Sequence, residues 1–361
     1  LALDDFGNQQ LQNPNELYNF IKSSIVDDED YFIILDEIQL VDKFEIVVNG
    51  FMHIPNADIY ITGSNSKFLS SDIITEFRGR GDEIRVYPLN FSEFYSIYGG
   101  DFDKAWVMYC NFGGMPLCLS METQEDKAKY LTSLFETTYL ADIINRNNLR
   151  GNAEIGELTD ILASSIGSLT NPLKLSNTFG SVKNVKLSAN TISAYIGYLQ
   201  DAFLVEKAIR YDIKGKKYIN TPAKYYFVDV GLRNARLAFR QQEYTHIMEN
   251  IIYNELRLRG YSVDVGVVES IAKENGISTR KKYEVDFVVN IGNRRYYIQS
   301  VYNIPDAEKM AQEQASLLAI NDAFRKIIIV NQSILSGYNE KGILLVSLKD
   351  FLMSPETALN Y

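Results

Sequence analysis

A chain of 361 residues has room for two or three domains, and a net charge of -10 excludes a surface that is a nucleic-acid footprint throughout. Hydrophobic residues make up 46%, an ordinary globular share, and no apolar run approaches the roughly 18 residues needed to cross a membrane. The two cysteines, Cys110 and Cys118, lack metal-site spacing and read as the reduced thiols of a cytoplasmic protein, while two histidines, His53 and His246, argue against a zinc site or histidine-based catalysis.

The first strong pattern is an amphipathic helix over 15–22, followed by Tyr31-Phe-Ile-Ile-Leu-Asp-Glu-Ile-Gln39. Four apolar residues running into Asp36-Glu37 predict a strand buried on both faces of a parallel sheet, with two carboxylates at its C-terminal end. Open α/β sheets bind ligands at that edge. The layout is that of a Walker B strand, in which Asp36 holds Mg²⁺ and Glu37 orients the water that attacks a γ-phosphate. The plainer alternative is a buried strand ending in a solvated acidic turn. A helix over 41–52 and a second apolar strand, Ala57-Asp-Ile-Tyr-Ile-Thr-Gly63, come next, then Ser64-Asn65 and Glu76-Phe-Arg-Gly-Arg-Gly81. Alternation of strands and helices predicts a parallel sheet built by right-handed crossovers.

Downstream, residues 97–150 are helical with a Gly113-Gly-Met-Pro116 break, and suggest a small lid. Residues 151–238 have the order of a winged helix. Helices are expected over 157–165, 171–179 and 188–199, with Asn171 capping the second ahead of Pro172. A strand pair over 204–211 and 225–229 follows, with a basic turn at Lys214-Gly-Lys-Lys217. In a DNA-binding arrangement Asn190 would enter the major groove beside Lys183 and Lys186, with Lys214, Lys216 and Lys217 on the wing. The other reading is a winged helix used for protein packing with solvated lysines; the sparse basic face favours it.

The order of these segments, closed by Ile84-Arg-Val-Tyr-Pro-Leu-Asn-Phe-Ser-Glu-Phe94, resembles the AAA+ ATP-binding proteins of bacteria and archaea that carry a C-terminal domain of unknown function. The resemblance runs along essentially the whole chain. It implies ATP and Mg²⁺ as ligands, with Ser64 or Asn65 in the sensor position. Arg80 would act on phosphate charge in cis or from a neighbouring subunit of an oligomer, with Arg78 as second choice. The phosphate-cradling G-x-x-x-x-G-K-[ST] loop occurs nowhere in the sequence. Leu1-Ala-Leu-Asp-Asp5 resembles the family's second strand, so the expectation is a truncated AAA+ core over 1–96, inactive on ATP as it stands; a relative that never had the loop is the alternative.

Residues 239–361 carry a second constellation: a helix around Met248-Glu-Asn250, a strand Tyr283-Glu-Val-Asp-Phe-Val-Val289, and Arg295-Tyr-Tyr-Ile-Gln-Ser-Val301. It resembles the PD-(D/E)XK, or restriction-endonuclease-like, core. There Glu249 is the helix acid and Asp286 the strand acid, with Gln299 and Val301 where a glutamate and a lysine belong. Glu284 shares a side with Asp286 by strand alternation and could replace a ligand. The same alternation places Gln299 and Val301 together beside the acids. Without the third acid and the lysine, a nuclease that has lost its activity is expected. The fold class is then α/β plus α+β: truncated AAA+ sheet, helical lid (97–150), winged helix (151–238) and nuclease-like domain (239–361). A nuclease and a DNA-binding or protein-binding scaffold remain the rivals to an ATPase.

Overall fold

The computed structural model describes residues 1–63, 77, 80–149, 152–183, 186–274 and 277–354. The chain divides into two units, one of residues 1–86 with 201–203, the other of 87–200 and the chain from 204 onward.

In the first unit, β1 (Tyr31–Leu35) and β2 (Ala57–Ile61) pair in parallel, Tyr31 opposite Ala57 through Leu35 opposite Ile61. Ala2 bridges Asp36 in the same direction. Helix α1 (Pro14–Ser24) starts where the Asn13 side chain accepts from the N–H groups of Asn15 and Glu16, with Pro14 at the position that needs no donor. Helix α2 (Phe44–Phe51) carries the crossover between the strands. Leu17, Ile21, Val47, Val48 and Phe51 close on Ile33 and Leu35, and the Tyr18 and Phe51 rings stack at 5.6 Å. The expectation of a strand buried on both faces does not hold. Phe32 is 65% exposed, Ile34 56% and Tyr60 48%, because both helices lie on the side of Ile33 and Leu35 and alternation sends the others to the opposite side.

The second unit opens with helices α3 (Phe91–Tyr98), α4 (Phe102–Phe112), α5 (Pro116–Leu119), α6 (Gln124–Ser133) and α7 (Ala141–Arg146). A capping box of Asn90 and Glu93 starts α3, and Gly113 ends α4 at φ +67°, a conformation that favours glycine. A π-helical stretch, Leu134–Leu140, joins α6 to α7. Helices α8 (Asn152–Ser164), α9 (Pro172–Thr178) and α10 (Ala189–Asp201) match the three expected ahead of the strand pair.

That pair, β3 (Val205–Asp212) and β4 (Lys217–Phe227), is not a free-standing wing. It forms one edge of an eight-stranded mixed sheet of order β4-β3-β5-β6-β7-β8-β10-β9. The others are β5 (Ser262–Glu274), β6 (Ile277–Ile291), β7 (Arg294–Val301), β8 (Arg325–Val330), β9 (Gly337–Tyr338) and β10 (Leu344–Ser347). Parallel pairing of Arg210 with Val265 crosses the boundary expected between residues 238 and 239. Edge N–H and C=O groups on β3 find partners in β5, so the helical region and the sheet share one unit.

Helices α11 (Val230–Arg236), α12 (Tyr244–Leu258), α13 (Ala307–Leu318) and α14 (Leu348–Met353) complete it. Helix α12 meets the sheet through Tyr253, whose ring lies 4.3 Å from Tyr226 and 6.5 Å from Phe287. Leu317 of α13 shares a core with Val285, Val288, Tyr297 and Val301. Neighbouring Phe287 and Val288 thus face different helices, as strand alternation requires.

Between β5 and β6 the register slips. Asp264 pairs with Val288 and Gly266 with Val285, so Val265 alone stands opposite both Asp286 and Phe287. This is a β-bulge, and it re-aims a side chain. Asp286 and Phe287 both point to the α12 side, together with Glu284, while Val285 and Val288 point to α13.

Candidate functional site

Two acidic constellations are built by different means. The first lies at the C-terminal ends of β1 and β2. Thr62 follows β2 directly, and its N–H donates to Leu35 O at 2.9 Å. The Thr62 hydroxyl donates to Asp36 Oδ1 and accepts from the Glu37 N–H at 3.3 Å. Glu37 sits in the left-handed region at φ 55°, ψ 42°, and its carboxylate accepts from the Gln39 carboxamide. Asp36 is exposed and Glu37 half-buried. The strand ends therefore hold two carboxylates and a hydroxyl together at one sheet edge.

Thr62 escaped the sequence reading, which placed the polar sensor at Ser64 or Asn65, two or three residues later. Its signal was a lone hydroxyl at the end of an apolar strand. Ser64, Asn65 and Arg78 lie outside the described residues. Arg80 is described, and its guanidinium donates to Asn49 Oδ1 at 2.8 Å and to Phe77 O at 3.1 Å. Asn49 is in the last turn of α2, where the chain returns toward the start of β2. Arg80 is thus tied toward the edge opposite Asp36 and Glu37.

The second constellation lies under α12. The Lys224 ammonium, on a side chain only 2% exposed, donates to Glu249 Oε1 at 2.8 Å. It lies 2.8 Å from Glu284 Oε1 and 3.8 Å from Asp286 Oδ1. The Tyr226 hydroxyl also donates to Glu249 Oε1, at 2.7 Å, and the Ser300 N–H donates to Asp286 Oδ2 at 2.8 Å. His246 Nδ1 stands 3.9 Å from Glu249 Oε2.

Burial governs the protonation of this cluster. It acts to raise the Glu249 carboxyl, but the Lys224 charge, the nearby His246 and the bonds from Lys224 and Tyr226 outweigh it and hold Glu249 low. Asp286 goes the other way: burial, then the Glu249 charge, raise it above the carboxylate range despite Lys224. Lys224 stays protonated, since Glu249, Asp286 and Glu284 overcome the burial that would discharge it. His246 is raised by the Glu249 carboxylate beside it and by the charge of Glu243, against burial and Lys224.

Glu249, Glu284 and Asp286 do meet, but Gln299 and Val301 are not beside them. The Gln299 carboxamide donates to Glu313 Oε2 and accepts from the Ser316 hydroxyl, both on α13, each at 3.4 Å. Of Asp286 it meets only the backbone, whose N–H donates to Gln299 Oε1 at 3.4 Å. Val301 is buried in the apolar core with Leu317. The bulge is the physical reason, because one extra residue in β6 turns Asp286 away from the side its β7 neighbours occupy. Lys224 was missed because the lysine was sought on β7. Its signal was a lone ammonium in the otherwise buried run Ala223-Lys-Tyr-Tyr-Phe227.

The lysines considered for DNA are spread over separate elements. Lys186 and Asn190 are exposed around the start of α10. Lys214 donates to the Glu269 carbonyl of β5, Lys216 turns the hairpin at φ 49°, and Lys217 is exposed at the start of β4. Lys183 ends a π-helical stretch, Phe179–Lys183. No helix among the described residues is long and apolar enough to cross a membrane.

Comparison with known proteins assigns residues 1–95 to a family. Residues 1–95 match the AAA domain family, and residues 103–243 match a domain of unknown function (DUF8612). An uncharacterized protein of Haemophilus influenzae is 34% identical over 364 residues, spanning 98% of this chain and 85% of that one. Another, from Methanocaldococcus jannaschii, is 30% identical over 356 residues, spanning 95% and 76%. A crystal structure of a Vibrio cholerae protein aligns with 95% of this chain and 78% of its own, at 12% identity and a TM-score of 0.23. By this identity and coverage the chain belongs to the family of the Haemophilus and Methanocaldococcus proteins, and residues 1–95 are its AAA-type domain.

Proposed function

We propose that Asp36, Glu37 and Thr62 form the acidic half of an Mg²⁺-ATP site, and that the protein is a nucleotide-dependent switch of the AAA type. The observation that carries this reading is the hydroxyl of Thr62, which joins both acids across parallel strands at the ligand-binding edge of the sheet. Exposed carboxylate oxygen at a strand end suits the hard, hydrated Mg²⁺ ion. Bound Mg²⁺-ATP supplies the phosphoryl group and the metal charge. Asp36 holds the hydrated cation, with one oxygen fixed by Thr62. Glu37 orients water and takes up its proton. Ser64, Asn65 and Arg78 belong to the same reading as contributors from the segment after β2. Arg80 fits only if its bond to Asn49 is exchanged. Residues 1–361 contain this acidic half and no G-x-x-x-x-G-K-[ST] loop.

The test is nucleotide binding and turnover by the protein. Glu37→Gln keeps Mg²⁺-ATP binding and lowers turnover by about 10²-fold or more, the scale of a lost general base. Asp36→Ala weakens binding itself. Unchanged turnover in Glu37→Gln would sink the assignment.

For the eight-stranded sheet we propose a nuclease-type domain that does not cut. Its support is the meeting of Glu249, Glu284 and Asp286 while Gln299 and Val301 face α13. Plasmid DNA with Mg²⁺ or Mn²⁺ is expected to stay intact; cleavage abolished by Asp286→Ala overturns this.

A further inference from the structure

We propose that Lys224 is a resident cation: its ammonium occupies the place among Glu249, Glu284 and Asp286 that a nuclease-type site gives to a divalent metal, and keeps the folded domain metal-free. The inference rests on the nuclease-type reading of the sheet and goes beyond it, since it names what fills the site.

The geometry is that of a hydrogen-bonded ammonium. Lys224 Nζ lies at hydrogen-bond distance, 2.8 Å, from Glu249 and from Glu284, and 3.8 Å from Asp286 as an ion pair. Mg²⁺ takes its oxygens at about 2.0–2.1 Å and would need all three drawn inward. Several of the oxygens are engaged elsewhere as well. Tyr226 donates to the Glu249 oxygen that Lys224 uses, and Ser300 N–H holds the second Asp286 oxygen. The space beside the remaining Glu249 oxygen is kept by the absence of a side chain at Gly167, where a methyl group would come 3.0 Å from Glu249 Oε2 and 2.7 Å from His246 Nδ1. Among the described residues no group of three or more His, Cys, Asp or Glu side chains is arranged to hold a metal ion.

The lysine comes from an edge strand that also binds the helical region, through the bridge of Ala223 with Thr170. One ammonium therefore ties β4 to α12 through Glu249 and to β6 through Glu284 and Asp286. Removing it would leave three acids facing one another, a cluster that a divalent ion could then neutralise.

The experiment follows Mn²⁺ binding by electron paramagnetic resonance, together with thermal melting, in the full chain; every protein compared, including the reference called wild type here, carries Asp36→Ala, which takes the cation site at the end of β1 out of the titration. Wild type is expected to bind no stoichiometric Mn²⁺ and to melt at the same temperature with Mn²⁺ or with EDTA. Lys224→Ala is expected to melt lower, to bind one Mn²⁺ and to recover part of its melting temperature on binding. Adding Glu249→Gln should abolish both gains. Stoichiometric Mn²⁺ on wild type overturns the proposal, as does a folded Lys224→Ala that gains no Mn²⁺. If Lys224→Ala does not fold, Lys224→Gln and the wild-type titration decide in the same way. Mn²⁺ bound to wild type without DNA cleavage defeats the resident cation alone, whereas Mn²⁺-dependent cleavage defeats the non-cutting reading as well.

Discussion

The two acidic sites of this chain use the same side chains under opposite conditions. At the end of β1, Asp36 is exposed, and a neutral hydroxyl steadies it. Beneath α12, Glu249 and Asp286 are buried and an ammonium lies among them. Solvent screens the first pair, so it can receive a multivalent cation with little reorganisation. The buried pair carries its neutralising charge in the sequence, because carboxylates out of water need a partner at all times. An acid pair can therefore be a ligand site or a structural clamp, and burial with the nearest cation separates the two.

The sharpest way to break this comparison is to truncate one acid from each site. Glu249→Ala leaves Lys224 buried beside fewer acids, and urea denaturation should show a loss of about 3–5 kcal/mol. Asp36→Ala should change stability by less than about 1 kcal/mol, as exposed substitutions do. Equal losses would erase the distinction. Val301→Lys sharpens it from another side. The new ammonium would face the apolar core under α13 and not the acids, so the variant should lose about 2 kcal/mol or more by melting and gain no Mn²⁺ affinity. A gain in Mn²⁺ affinity would mean that β7 faces the acids after all. Next comes Arg80→Ala, expected to shift stability by no more than about 0.5 kcal/mol. If it also leaves turnover intact, the cation near the phosphates must be sought at Arg78.

The smallest effect concerns pH. The folded-state pKa of His246 is raised by Glu249 and Glu243, against burial and the Lys224 charge. A raised pKa means that folding takes up a proton. The stabilisation is full below the ordinary histidine value and is lost as pH rises through the raised one. The melting temperature of wild type relative to His246→Asn should be higher at about pH 5.5 than at about pH 8.5. A difference that grows toward high pH would show that His246 is neutral in the fold.

Much of the architecture was legible in local pattern. The parallel pair β1 and β2, the capped helices α1 and α9, and the Gly113 stop all follow from side-chain chemistry that acts within a few residues. Asp36 and Glu37 were readable for the same reason, since an apolar strand ending in acids needs no distant partner to be seen. Lys224 was not. Its role depends on β3 and β4 joining the sheet of β5 to β10, a pairing between segments far apart in sequence. The side faced by Gln299 was also hidden. Strand alternation is a rule about neighbours, and the residue that breaks it lies in a partner strand.

The bulge in β6 has a consequence for how this fold could change over time. Facing direction along a strand is a matter of parity, and one supernumerary residue reverses the count for everything on one side of it. Losing a single codon between Glu284 and Phe287 would remove the extra residue and straighten the strand: Glu284 would keep the α12 side, while Asp286 would be lost with the codon or turned toward α13. Deletion and point substitution are therefore comparable hazards here. Either takes Asp286 from the clamp and leaves Lys224 with Glu249 and Glu284.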